Sequence, residues 1–349
     1  MFTSSFEQLG AIGDRSKASG MALFIRPLPR SKELLTLIVT TSVIPVHPNT
    51  RLITEVMGSY VRNEPDLVDC KKIIVCDFPK LSVSGITHYK SGKINHTDFK
   101  RYEEYICQLE KFSAAGEYPF VNTEILRLPR YRGFAMAVHE ALAKVTTPFV
   151  MIIQHDRVLT REFRVAELLE LMQAQPEQVK YIGLCSDTSS GHVHQVSSRY
   201  NMDVTSKMQI LQPTVPGGGG LESFKKQLIA NFPLPLPECR MLVPLIFWYD
   251  STHIASVSHY RDFVFGSHEL VKVPTLDYKY YKLKTGDFIE DKLGQVQRED
   301  IKYNGLDEAH GRYGTYLLED NQGPFVRHCH GRMIGTSTKR TFEIYFGNF

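Results

Sequence analysis

The stretch Phe149-Val150-Met151-Ile152-Ile153-Gln154-His155-Asp156 decides how this chain is organised. Its first five residues are apolar and rich in β-branched side chains, which predicts a strand buried on both faces. Three polar residues follow at once, so the strand ends in a polar turn that contains an acid. Ligands of open α/β sheets bind beyond the carboxyl ends of the strands, so this turn is a candidate functional site.

The same sequence of a buried strand and an amphipathic helix recurs on both sides of this stretch. Such alternation predicts an α/β fold, a Rossmann-type, mostly parallel sheet flanked by helices, with a C-terminal extension. The predicted strands cover 34–40, 72–77, 123–128, 149–153 and 179–185, and the predicted helices cover 50–61, 99–112, 133–145 and 162–173.

Composition limits the class of protein without identifying it. The chain has 349 residues, with 41 Lys and Arg against 38 Asp and Glu, and 42% of it is hydrophobic. These values exclude a disordered chain, a collagen and a disulfide-rich miniprotein. The net charge of +3 is too small to indicate nucleic-acid binding.

The remaining bulk features predict a cytoplasmic protein, with peripheral membrane association left open. The six cysteines contain no C-x-x-C pair, which favours free thiols in a reducing compartment. Residues 1–20 lack the apolar core of a signal peptide, and no stretch is apolar enough to be a transmembrane segment. Residues 1–30 are expected to be a lead-in, and 31–349 a single domain.

Two common nucleotide-binding classes are excluded by the end of the first strand. Residues 40–45 read Thr-Thr-Ser-Val-Ile-Pro, with neither the G-x-G-x-x-G of a dinucleotide-binding fold nor the lysine loop of a P-loop NTPase.

The triplet Gln154-His155-Asp156 resembles the D-x-D signature of GT-A-fold glycosyltransferases, of the inverting, family-two-like kind. The resemblance implies that Asp156 is the main ligand of Mn²⁺ or Mg²⁺, and that Gln154 and His155 touch the ribose or pyrophosphate of a nucleotide sugar. Gln154 stands where the pattern has its first acid, which leaves metal dependence open. The alternative is a strand that ends in a solvated polar turn.

Three further positions join the donor site through the same resemblance. Arg132-Gly133 opens a helix of small residues, as in the family segment that approaches the nucleotide sugar. Asp77 follows the second strand, where the family reads the base or ribose, and Thr41 ends the first strand. A surface arginine and a strand-terminating turn are the alternatives.

The acidic pair Glu290-Asp291, followed by a leucine, resembles the x-E-D motif of the family. One carboxylate would be the general base that deprotonates the acceptor hydroxyl. Asp291 is the candidate base with Glu290 as its orienting partner, or the reverse. Taken alone, such a pair is also typical of a solvated loop.

Late in the chain, family members contribute a histidine to the metal or pyrophosphate. Here His328 and His330 are the candidates, and Arg332 is a candidate phosphate ligand. The segment Trp248-Tyr249-Asp250 combines aromatic faces with a hydrogen-bonding group, which suits the acceptor sugar. The alternative for this segment is a core strand and its turn.

The resemblance therefore implies a glycosyltransferase, hexosyl or pentosyl, that uses a nucleoside-diphosphate sugar. A UDP-sugar is the favoured donor, and the acceptor is a hydroxyl of a glycan, glycoprotein or small molecule, with inversion. Residues 31–185 would bind the donor, 186–240 would form a flexible acceptor loop, and 241–349 would complete the acceptor and catalytic half. The alternatives are a non-catalytic sugar- or nucleotide-binding protein of this fold and a sugar nucleotidyltransferase.

Overall fold

The computed structural model describes residues 31–211, 239–266 and 282–329. The predicted lead-in over 1–30, the glycine run at 217–220 and two candidate ligands, His330 and Arg332, lie outside these ranges.

The described ranges hold a central sheet and several smaller strand pairs. In chain order the strands are β1 (Leu35–Thr41), β2 (Lys71–Cys76), β3 (Lys80–Leu81), β4 (Lys93–Ile94), β5 (Thr123–Arg127), β6 (Phe149–Gln154), β7 (Arg157–Leu159), β8 (Tyr181–Leu184), β9 (Gln209–Ile210), β10 (Met241–Pro244), β11 (His253–Ser256), β12 (Thr315–Glu319) and β13 (Val326–His328).

Helices connect these strands and cover the sheet. They are α1 (Ser31–Leu34), α2 (Arg51–Asn63), α3 (His96–Ala115), α4 (Gly133–Leu142), α5 (Val165–Ala174), α6 (His192–Tyr200), α7 (Gln295–Asn304) and α8 (Leu306–Tyr313). Short 3-10 turns lie at Pro65–Leu67, Tyr89–Ser91 and Thr205–Lys207, and π-helical turns at His259–Val264 and Glu290–Gly294. No helix within the described ranges is long and apolar enough to cross a lipid bilayer.

The central sheet confirms the predicted α/β class. Its nine strands run in the order β5-β2-β1-β6-β11-β8-β12-β10-β9. Strands β5, β2, β1 and β6 are all parallel, and β12 is parallel to β8. The central strand β1 is buried at every residue, as its continuous apolar run predicts. The carboxyl ends of these parallel strands therefore meet at one edge of the sheet.

One strand departs from the predicted alternation. β11 is inserted antiparallel between β6 and β8, so these two strands are not neighbours. Although β11 has only four residues, it is stabilised because Ile254 and Ala255 are fully buried between the flanking strands. His253 lies opposite Ile152, so the loop before β11 reaches the carboxyl end of β6. The insertion therefore delivers residues 247–252 to the edge at which the triplet ends.

Candidate active site

A cavity of about 400 Å³ lies at the carboxyl ends of β6 and β8. Four segments distant in sequence build most of it: the triplet and the residue after it, residues 181–189, the loop before β11, and the turn that holds the acidic pair. It is lined by Gln154, Arg157, Tyr181, Gly183, Leu184, Ser186, Thr188, Ser189, Phe247, Tyr249, Asp250, Ser251, Thr252, Phe288, Glu290 and Leu317. Its volume suits a small-molecule ligand.

Two acidic residues of this cavity, Asp250 and Glu290, are joined by reciprocal hydrogen bonds between backbone N–H groups and side-chain oxygens. The Asp250 N–H donates to Glu290 Oε2 at 3.1 Å, and the Glu290 N–H donates to Asp250 Oδ2 at 3.3 Å. Asp250 is only 3% exposed. Its burial, and then the negative charge of Glu290, raise the pKa of Asp250 well above its ordinary value, which favours the protonated form of this group.

Gln154, the first residue of the triplet, holds the loop before β11 in place. Its Nε2 donates to the Asp250 carbonyl oxygen at 2.8 Å. An acid at this position could not donate this bond, so the departure from the D-x-D pattern has a structural role here. Gln154 also lines the cavity, and its contact with a donor remains a prediction.

Two buried polar atoms of the cavity residues, Arg157 Nε and Ser251 Oγ, have no hydrogen-bond partner within the described ranges. A buried polar group without a partner costs about 1–3 kcal/mol, so folded proteins keep few of them. Their concentration around one cavity indicates that it is built to receive a polar ligand.

Asp156 and His328 meet although they are far apart in sequence. Strand β13 pairs with β7 and places His328 opposite Arg157. His328 Nε2 lies 3.0 Å from Asp156 Oδ2, within hydrogen-bond distance. Desolvation would raise the pKa of Asp156, but the His328 bond and the charges of His155, His328 and Arg157 outweigh it and hold this pKa at about 2. Asp156 is therefore a carboxylate at neutral pH.

This pair decides whether the implied divalent metal fits. Among the described residues no group of three or more His, Cys, Asp and Glu side chains is placed to hold a metal ion. Asp156 and His328 offer one oxygen and one nitrogen donor. Mg²⁺ is commonly held by one or two carboxylates and completed by substrate phosphates. The pair thus fits a cation that a diphosphate also coordinates. Two protein ligands alone do not make a complete metal site.

Asp77 organises the start of α4. Its Oδ1 accepts the Arg132 N–H at 2.8 Å, and its Oδ2 accepts the Gly133 N–H at 2.9 Å. A carboxylate at this place satisfies two amides that a helix start leaves without partners. Burial raises the pKa of Asp77, and these backbone bonds oppose the rise. Its observed partners are thus two backbone amides of the chain, and contact of Asp77 with a base or ribose remains a prediction.

A close approach of two glycines joins α4 to the segment that carries the acidic pair. A Cβ on Gly133 would lie 2.6 Å from the Gly286 Cα, and both glycines have positive φ, +75° and +92°. The Gly286 N–H donates to the Arg132 carbonyl at 2.8 Å, and the Ala135 N–H donates to the Asp287 carbonyl at 3.2 Å. Only glycine tolerates this contact, which fixes where residues 286–291 lie.

Several predicted donor-site side chains bond within the protein and do not line the cavity. Arg132 forms an ion pair with Glu140, although its Nε is buried without a partner in the described ranges. The Thr41 hydroxyl lies 3.1 Å from the Tyr105 hydroxyl. His155 is 8% exposed and its Nδ1 accepts the Ser42 N–H at 3.4 Å. These contacts position the strand ends, and their roles toward a donor stay predictions.

Two residues predicted for the site lie apart from the cavity. Trp248 does not line the acceptor side, since it is fully buried and packs against Tyr181 with ring centroids 4.5 Å apart. Asp291 does not line the cavity either: it is exposed, while its neighbour Glu290 faces the cavity. Because the pair begins a helical turn, adjacent side chains point in different directions, and the docked Gly286 segment selects Glu290.

Arg157 and Ser251 are site residues that the motifs did not indicate. Arg157 directly follows the triplet and would have been found by extending that motif by one residue. Ser251 carries no local signal, since its position depends on the inserted strand β11.

Comparisons with known proteins give resemblance at the level of structure only. No family model matches the sequence, and no curated protein matches it. Among solved structures the chain is similar to GT-A-type glycosyltransferases, the fold that the triplet indicates.

Three of the similar structures are representative. Residues 1–349 of S. aureus TarS, in complex with UDP-GlcNAc, are 10% identical, with 88% of this chain and 60% of that chain covered and a TM-score of 0.40. Glucosyl-3-phosphoglycerate synthase from Mycobacterium tuberculosis, with Mn²⁺, UDP-glucose and phosphoglyceric acid, is 11% identical, with 84% and 74% covered and a TM-score of 0.35. Mannosyltransferase PcManGT from Pyrobaculum calidifontis, with GDP-Man and Mn²⁺, is 18% identical, with 45% and 36% covered and a TM-score of 0.29.

This chain spans less than two thirds of the length of the TarS 1–349 chain and of the mannosyltransferase, 60% and 36% respectively. With TM-scores below 0.5, the chemistry of the site has to follow from its own geometry.

Proposed function

We propose that this chain transfers a sugar from a nucleoside-diphosphate sugar, with a UDP-sugar favoured, to a hydroxyl of a glycan, glycoprotein or small molecule. The observation that supports it most is the cavity at the carboxyl edge of the sheet, which is lined by Asp250, by Glu290 and by two residues with unpartnered buried polar atoms, Arg157 and Ser251. A sugar is a ligand rich in hydroxyls, and it can satisfy such donors and acceptors together.

In the proposed reaction Glu290 is the general base. Its carboxylate takes the proton of the acceptor hydroxyl while the oxygen attacks the anomeric carbon. The bond from that carbon to the diphosphate oxygen breaks, and the electron pair leaves with the nucleoside diphosphate. A single displacement of this kind inverts the anomeric centre. Asp250 positions Glu290 by accepting the Glu290 N–H and donating its own N–H to the Glu290 carboxylate.

Two groups are suited to the charge of the leaving diphosphate. Arg157 lines the cavity, and its buried Nε has no partner within the described ranges. A preorganised cation aimed at developing negative charge lowers the barrier. A divalent cation, Mn²⁺ or Mg²⁺, would be held by Asp156 and His328, and when bound it would neutralise charge on the diphosphate.

A screen of nucleotide sugars for hydrolysis, with and without Mn²⁺, tests this proposal. We expect one UDP-sugar to be hydrolysed slowly, since water can replace a missing acceptor, and we expect its rate to depend on the ion. Asp156→Asn should weaken the response to Mn²⁺ because it replaces an ionised ligand with a neutral amide. Asp66→Asn, at an exposed position before β2, is the control. Tight UDP binding with no hydrolysis or transfer of any sugar would contradict the proposal and favour a binding protein.

A further inference from the structure

A second, smaller cavity of about 170 Å³ shares a wall with the candidate active site. It lies between α6, α7 and the segment before β11, and Phe247 and Tyr249 line both cavities. Pockets that hold a whole small ligand usually exceed about 300 Å³, so this one is sized for part of a ligand. The remaining lining residues are His192, Gln195, Val196, Arg199, Tyr200, Ile246, Gln295 and Arg298.

The ionised side chains that line this cavity are both cations. Arg199 comes from α6 and Arg298 from α7, and no carboxylate of the described part of the chain is among the lining residues. Arg298 Nε donates to Glu299 Oε1 at 3.4 Å, which uses one of the five N–H donors of its guanidinium. Two guanidinium groups on facing elements favour an oxyanion with a double charge, because arginine binds phosphate and carboxylate through paired N–H groups.

His192 adds a different kind of recognition. It is 2% exposed, and its Nε2 has no hydrogen-bond partner within the described ranges. The ring bonds to the backbone of Pro244, whose carbonyl can only accept, so the ring proton is on Nδ1. Burial lowers the pKa of His192 to about 4, which keeps the ring neutral at pH 7. Nε2 therefore offers a lone pair, suited to a ligand hydroxyl.

Tyr249 connects this cavity to the proposed base. Burial raises the pKa of its phenol, the charge of Glu290 raises it further, and the positive charge of Arg199 lowers it. The pKa of the Tyr249 phenol thus responds to the Glu290 carboxylate, which lines the larger cavity, and to the Arg199 guanidinium, which lines the smaller one. One ligand can place an anionic group near Arg199 and a hydroxyl near Glu290.

We propose that the second cavity binds a phosphate monoester group that has a neighbouring hydroxyl. A phosphate monoester carries a charge of about −2 at pH 7, which matches the two arginines, and the hydroxyl matches His192 Nε2. Its assignment to the acceptor, with the reacting hydroxyl entering the larger cavity, rests on the proposed glycosyl transfer. The binding of the phosphate group does not depend on it.

Calorimetric titration of the full chain, without any donor, tests this inference. The probes are glycerol 3-phosphate, inorganic phosphate and glycerate. We expect glycerol 3-phosphate to bind about tenfold more tightly than inorganic phosphate, because only the former has carbon-bound hydroxyls that can reach His192 while its phosphate lies at the arginines. The double variant Arg199→Gln/Arg298→Gln should weaken glycerol 3-phosphate by at least about tenfold. Arg62→Gln, an exposed arginine on α2, is the matched control and should change affinity less than about twofold.

Equal affinity of the double variant and the unchanged chain for glycerol 3-phosphate would overturn the inference. If glycerate bound more tightly than glycerol 3-phosphate, the preference for a phosphate group would be overturned. If inorganic phosphate bound as tightly as glycerol 3-phosphate, the role of the hydroxyl would be overturned. Titration of the same samples with UDP separates the two proposals. Failure to bind UDP counts against glycosyl transfer alone, whereas UDP binding without glycerol 3-phosphate binding counts against the second cavity alone.

Discussion

At the scale of single residues, the site depends on which atoms have partners. Glu290 and Asp250 are adjacent carboxyl groups in different environments: Asp250 is buried and its pKa is raised well above the ordinary value, and Glu290 faces the cavity. The x-E-D motif predicted the acidic pair Glu290-Asp291 and left open which of these two residues was the base. Chain order could not settle this, because the direction of each side chain depends on contacts with α4 that local sequence does not contain.

The raised pKa of Asp250 predicts a pH-dependent gain in stability for Asp250→Asn. In the folded chain Asp250 keeps its proton at pH values where the unfolded chain has released it. The stability of the unchanged protein therefore falls as the pH rises above about 4, the pKa of an unfolded aspartate. The asparagine cannot titrate, and its amide oxygen can still accept the Glu290 N–H.

Thermal unfolding at pH 4 and pH 8 checks this prediction, and the fluorescence of the single, buried Trp248 reports the transition. We expect Asp250→Asn and the unchanged chain to unfold at similar temperatures at pH 4 and the variant to unfold later at pH 8. The control Asp291→Asn, at an exposed position, should show no such widening. The measured quantity is the unfolding temperature of Asp250→Asn minus that of the unchanged chain. A smaller value of this difference at pH 8 than at pH 4 would refute a raised pKa of Asp250.

At the scale of elements, periodicity predicted five of the nine strands of the central sheet and four of the eight described helices. The apolar runs gave β1, β2, β5, β6 and β8 to within two residues at each end. Except for the half-buried edge strand β5, these strands are buried along nearly their whole length. The apolar pattern did not predict β11, because this strand is only four residues long, follows a turn, and is stabilised by its pairing with β6 and β8 on both sides. The glycine contact that docks residues 286–291 is equally non-local.

Gly133→Ala should destabilise the fold and displace the acidic pair. Its Cβ would lie 2.6 Å from the Gly286 Cα, and its φ of +75° is unfavourable for alanine. Backbone strain of this kind and overpacking each cost about 1–3 kcal/mol. Chemical denaturation measures this loss directly.

Gly58→Ala is the matched control for this variant. Gly58 lies within α2, and a Cβ there meets nothing within 4 Å. Alanine should stabilise that helix by about 0.5–1 kcal/mol. Equal effects of the two substitutions would show that the contact between Gly133 and Gly286 does not hold the two segments together.

At the scale of the whole molecule, the fold brings three distant segments to one edge of the sheet. Residue 154 ends β6, residue 250 arrives through β11, and residue 290 arrives through its docking on α4. Sequence motifs predicted all three positions as parts of one site. The bonds among them, and the exclusion of Trp248 and Asp291 from the cavity, follow from tertiary packing.

The central claim is that Glu290 is the general base of a sugar transfer. The most direct measurement compares kcat of Glu290→Gln and Asp291→Asn with the unchanged chain, using the nucleotide sugar found by the hydrolysis screen and saturating acceptor. General-base catalysis contributes about 10²–10⁴-fold, so Glu290→Gln should lower kcat by that factor. Asp291→Asn, one residue away and exposed, should leave kcat within about twofold. Full activity of Glu290→Gln, or a larger loss in Asp291→Asn, would contradict the account.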